Sequence, residues 1–80
     1  MDVSEIEAAH YVLGYGGFYE APLWKPGSFY KELTHAAFLA DHHNLERLRT
    51  GFPVLIAAVV RYKYEPGGSD QLAELVEANR

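Results

Sequence analysis

Thirteen consecutive positions, Phe52 to Tyr64, read FPVLIAAVVRYKY, and nowhere else in the chain do apolar residues run so densely. At 3.6 residues per turn, Val54, Leu55, Ala58, Val59 and Tyr62 fall on one helical face, with Ile56, Val60 and Tyr64 towards the other. Arg61 and Lys63 are the charged residues there. A helix that is apolar nearly all round has to be covered on more than one side, so the segment belongs at the centre of the fold or between two copies of it. A strand is the rival reading, because the segment is rich in Val, Ile and Tyr, and Val60-Arg61-Tyr62-Lys63-Tyr64 alternates as an edge strand would. A helix is expected because no partner strand is evident elsewhere and a lone strand leaves its backbone unsatisfied.

With 80 residues, the chain is expected to form one domain, residues 1–80, whose stability is modest without some added staple. Cysteine is absent. A disulfide framework and a thiolate metal site are therefore excluded, and a reducing cytoplasmic setting is the expectation. Oligomerisation is the remaining route to extra stability. The residues expected to carry a homodimer are Val54, Ile56, Val60 and Tyr64.

The uninterrupted apolar run Val54 to Val60 is far shorter than the ~20 residues a membrane span needs. The opening MDVSEIEAAH carries acids where a signal peptide carries bases, so neither a membrane span nor export is expected. The formal net charge of −4 is laid out in blocks: acidic to residue 20, basic from Lys25 to Lys63, and acidic again from Glu65. That layout favours pairing of the ends with the middle, within a chain or across a dimer, over binding a polyanion.

In chain order, Ser4 and Glu7 stand at capping-box spacing, with Val3 and Ala8 placed for a hydrophobic staple. A first helix is expected over about Glu5 to Leu13, stopped by Gly14. Residues 14 to 27, GYGGFYEAPLWKPG, have no period and read as a long loop. Its aromatic content suits either a lid over a small core or a docking surface for a partner, for which Tyr15, Phe18, Tyr19 and Trp24 are the candidates. Ser28 is expected to cap a second helix whose Phe29, Leu33, Ala36, Ala37 and Ala40 face the central segment. Asp41 is expected to restart the pattern as a cap, giving two helices or one bent one, and Pro53 to open the central helix. Pro66-Gly67-Gly68 breaks the chain before a last short helix capped by Ser69 or Asp70, with Leu72, Leu75 and Val76 as its apolar stripe. The expected fold is all-α: four to five short helices around a central apolar one, with one long aromatic loop.

The run Gly27-Ser28-Phe29-Tyr30, then Ala40-Asp41, Asn44, Leu48 and Gly51-Phe52-Pro53, resembles a group of small uncharacterised proteins common in bacteriophage and prophage genomes. The resemblance covers about half the chain. It implies a helical protein of phage origin, in the host cytoplasm, with no assigned activity. After Phe-Pro, Val54, Leu55 and Ile56 stand where those proteins tend to carry acids, which fits a helix with its second face covered by another chain.

Catalytic chemistry has few candidates. Ser4, Ser28 and Ser69 are explained as caps or loop residues, no GxSxG elbow is present, and Tyr15-Gly16-Gly17 lacks the Lys-Ser/Thr of a phosphate loop. His35, His42 and His43 with Asp41 invite a metal reading. On a continuous helix, though, His35 and His42 stand about 10 Å apart and His42 and His43 diverge by roughly 100°. No catalytic residue, cofactor or metal site is therefore expected. A helix-turn-helix can be drawn through residues 32–49, with Arg47 and Arg49 facing phosphate, but its short second helix carries Glu46 in an acidic protein. The lack of catalytic motifs and the apolar and aromatic segments point to a non-enzymatic accessory protein that acts by protein–protein interaction, and the resemblance implies a host or phage protein as its partner; a DNA-binding regulator is the alternative.

Overall fold

Ser4 and Glu7 close on each other in the computed structural model of the chain, which describes residues 2–17 and 27–79. The Ser4 hydroxyl accepts from the Glu7 N–H (3.2 Å) and a Glu7 carboxylate oxygen accepts from the Ser4 N–H (3.5 Å). Two otherwise orphaned donors are satisfied, and α1 runs over Glu5–Tyr15. It passes through Gly14, the expected stop, because an interior glycine costs only about 1 kcal/mol and tertiary packing offsets it. The helix ends at Gly16, with Gly17 in the left-handed region at φ 78°.

Two helices follow, α2 over Ser28–Leu39 and α3 over His42–Gly51, parted by Ala40 and Asp41. Asp41 caps α3 as expected, accepting from the Asn44 N–H at 2.8 Å. Ser28 does not cap α2. It is the first helical residue, and Gly27 holds the cap position without a side-chain bond. Phe52 alone separates α3 from α4, Pro53–Tyr64, where proline occupies the first turn and forgoes an N–H the helix could not have bonded. Helix has won over strand at Val60 to Tyr64. The last helix, α5 over Gly68–Ala78, begins earlier than its serine and aspartate suggested, with left-handed Gly67 (φ 73°) as cap and Asp70 in the first turn. Every regular element among the described residues is helical, so the fold is all-α.

At the hub lies α4, which packs against the four other described helices; α1 also packs on α5 and on α2, and α2 on α3. Leu55, Ile56 and Val59 are fully buried and Ala58 nearly so, together with Ala8, Ala9, Val12 and Leu13 of α1, Ala37 of α2, Leu45 of α3 and Leu72 and Val76 of α5. Val3 and Ala8, expected to brace the start of α1, both pack into this core. Ile56 is therefore enclosed by its own chain and presents no surface to a second copy, contrary to the role in self-association assigned to it. The strip left open on α4 holds Pro53, Ala57, Arg61 and Tyr64.

Polar groups pin the helix ends to this hub. An Asp2 carboxylate oxygen accepts from the Val54 N–H at the start of α4, and at the other end the Tyr62 hydroxyl donates to the Gly16 carbonyl at 3.2 Å. These two ties make α1 and α4 run in the same direction. Lys63 Nζ donates to the carbonyls of Phe38 (2.7 Å) and Ala40 (3.4 Å), closing the end of α2 with a cation where the helix dipole favours one. Among the described residues no ion pair joins the acidic N-terminal stretch to the basic middle, and the tie seen there is the Asp2 carboxylate on a backbone N–H. The ion pairs seen are local, Arg49 with Glu46 and Arg61 with Glu65, each at 3.5 Å. At Gly68 the chain passes so close to α4 that a Cβ would lie 1.8 Å from the Arg61 carbonyl oxygen, which is why a glycine stands there.

Candidate functional site

The inward face of α2 matches the expected one in part. Leu33, Ala37 and the capping Ala40 pack on the core as expected, but Tyr30, Thr34 and Phe38 join them, which turns the buried face away from Phe29 and Ala36. As a result Phe29 is 61% exposed, Ala36 is exposed and Leu39 is 74% exposed, while Thr34 is buried. Among the described residues, the Thr34 hydroxyl has no hydrogen-bond partner. Phe29, Ala36 and Leu39 lie within an arc of about 80° and span about 15 Å along the helix, an arc that also holds the exposed Glu32, so the apolar surface divides into Phe29 at one end and Ala36 with Leu39 at the other.

Each end of α2 meets other groups. At the start of α2 the Phe29 ring stands 5.3 Å from Tyr30 and 5.8 Å from Phe52, and Tyr30 stands 6.0 Å from Tyr11. The Gly-Ser-Phe-Tyr and Gly-Phe-Pro runs, distant in sequence, thus meet in one aromatic cluster. At the other end Ala36, Leu39 and Ala40 face Asn44, Arg47 and Leu48 across an open groove of about 420 Å³ between α2 and α3. A second groove, about 210 Å³, runs between α1, α4 and α5 and is lined by Val54, Ala57, Leu72 and Leu75 with Glu5 and Arg61. That volume falls below the ~300–1,000 Å³ usual for small-molecule sites.

Of the residues expected to pair two copies, Ile56 is inside the core, Val54 and Val60 flank the open strip of α4, and Tyr64 lies on it. Val54 lines the smaller groove, Val60 is half-buried, and Tyr64, 44% exposed, stacks on His42 at 4.5 Å. Val54 and Tyr64 lie about 15 Å apart along the axis. Of the expected partner surface, Tyr15 is 44% exposed and packs on Phe38 (4.4 Å) and His35 (5.5 Å). Phe18, Tyr19 and Trp24, and most of the long aromatic loop, lie outside the described residues. Both arginines of the nucleic-acid alternative are exposed on α3, where Arg49 is engaged by Glu46. His35 and His42 stack on tyrosines of different helices, and no group of three His, Cys, Asp or Glu among the described residues is placed to hold a metal ion. No described helix is long and apolar enough to cross a membrane.

The Tyr11 hydroxyl donates to Glu7 at 3.4 Å, and its pKa is raised above 10.0 by burial first and the Glu7 charge second. Leu39, the most exposed large apolar side chain among the described residues, has one signal in the sequence, that α2 carries more apolar residues than one face can hold. Comparison with protein-family models, curated proteins and solved structures finds no match to this chain. The class that the geometry defines is an all-α bundle, five helices among the described residues, with exposed apolar side chains at both ends of α2.

Proposed function

We propose that this chain is a non-enzymatic accessory protein, of the phage or prophage type its motifs resemble, that acts by docking another protein on the outer face of α2. The single observation behind this reading is Leu39, 74% exposed in line with a 61% exposed Phe29 on one side of one helix. Isolated exposed apolar residues are ordinary, but Leu39 also borders the mostly apolar groove between α2 and α3, the pattern of an interface core. DNA binding is the weaker reading, since α3 sets Glu46 beside its arginines and the chain is acidic. Self-association, if it occurs, uses Val54 and the open strip of α4 rather than Ile56.

Affinity capture from a bacterial lysate, read by mass spectrometry, tests the docking reading when wild type is run beside Leu39→Asp and Phe29→Asp. Both positions are exposed, so the variants fold, as circular dichroism would verify. A protein retained by wild type and lost on both variants is the expected result. An identical catch from all three, or none from wild type, overturns the reading.

A further inference from the structure

The groove between α2 and α3 carries information about charge as well as shape. Its α2 side is Ala36, Leu39 and Ala40, its α3 side Asn44, Arg47 and Leu48, and none of the six is an acid. The two alanines give a low floor on which a partner backbone can approach closely, and Leu39 stands up at the edge. Each side is about 6 Å long, one helical turn, so the groove suits one to two turns of a helix rather than an extended chain. No strand edge exists among the described residues to recruit a β-strand.

Arg47 is the charged member, and it is uncommitted. Arg49, its neighbour on α3, is paired with Glu46, and Asp41 at the connection is taken up by the Asn44 N–H. Among the described residues no carboxylate lies within ion-pair distance of Arg47. An unpaired guanidinium beside apolar side chains, with an amide next to it, offers donors to a carboxylate once a partner has displaced water from the groove.

We propose that the occupant is an amphipathic helix of another protein, apolar at positions three or four apart and bearing a carboxylate that pairs with Arg47. This rests on the docking reading above and names the chemistry of the partner. A second copy is disfavoured as occupant because a two-fold axis through the groove would bring two Arg47 side chains into one interface with no acid in the groove to neutralise either. A nucleic acid is disfavoured because four of the six lining residues are apolar and a single base supplies little counterion release.

The test uses the full chain, labelled with ¹⁵N, titrated with two synthetic helical Ala/Leu peptides identical except for Glu or Lys flanking the apolar positions. The Glu peptide is expected to shift the amides of Ala36, Ala40, Arg47 and Leu48 and to bind about tenfold more tightly than the Lys peptide. Arg47→Glu should reverse that preference, and Leu39→Asp should abolish binding of both peptides. Equal binding of the two peptides at this groove refutes the acidic partner while leaving the docking reading intact. Shifts confined to the Val54–Leu75 groove, or sedimentation showing a dimer that Leu39→Asp disperses, refute the proposed occupant as well. If neither peptide binds and lysate capture is also insensitive to Leu39→Asp, both readings fall together.

Discussion

Replacing Ile56 by alanine separates a core role from an interface role. Its side chain is fully buried beneath its own chain, on the hub helix that touches every other element. Alanine removes three carbon groups, about 2.4 kcal/mol of transfer free energy at ~0.8 kcal/mol each, and the unfilled space brings the total to about 3–4 kcal/mol. A chain of this length has only about 4–12 kcal/mol to lose. The melting midpoint should fall by roughly 12–32 °C, at about 4–8 °C per kcal/mol for a domain of this size. Thermal melts followed by circular dichroism, on dilute and on concentrated protein, are the assay. In a core role both midpoints fall by the same amount at either concentration. An interface role would instead make the wild-type midpoint climb with concentration and the variant lose that dependence. A loss under about 1 kcal/mol, or a concentration-dependent loss, would refute the reading of Ile56 as core.

Thr34→Val should be neutral or stabilising by about 1 kcal/mol in urea denaturation, because it removes a buried hydroxyl without a partner among the described residues and keeps the branched shape; a clear loss would mean that the hydroxyl is bonded. Tyr11 should ionise above the ordinary tyrosine range in an ultraviolet titration, identified by difference from Tyr11→Phe. Because its folded pKa is raised, the stability it contributes is complete below about pH 10 and is lost as pH rises through the folded value. Glu7→Gln, which keeps the capping geometry, should lower that pKa but not return it fully, since burial is the larger cause; an unchanged titration would disprove the Glu7 contribution.

Local rules were legible in the sequence wherever the partners are near neighbours. Ser4 with Glu7, Asp41 with Asn44, and Pro53 at the first turn of α4 each depend on residues within four positions, and all three formed as their spacing dictates. Distant partners left no such trace. Asp2 on the Val54 N–H, Lys63 on the carbonyls of Phe38 and Ala40, and Tyr62 on Gly16 join residues far apart, and nothing in spacing announces them. The helical wheel of the central segment identified a buried helix correctly. It could not say that α1, α2, α3 and α5 would suffice to bury Ile56 without a second copy, because that depends on where four other helices lie.

The face of α2 is legible only in part. Burial of apolar area predicts that a helix hides its leucines and shows its threonine; Leu33 obeys, packed against the core, but Leu39 inside would gain about 2 kcal/mol and Thr34 outside would recover its hydration. The structure does the reverse at both positions, with Thr34 2% and Leu39 74% exposed. An arrangement that costs stability twice on one helix is poorly explained by folding alone. Departures from local consistency collect where a surface serves something other than the isolated chain. A partner helix seated on Leu39, Ala36 and Leu48 would recover the exposed area, and the groove that Leu39 borders is also where Arg47 stands without an acid. Stability forgone in the free chain and an unpaired charge thus coincide at one groove, and that coincidence gives the docking assignment more weight than exposure of a single leucine would.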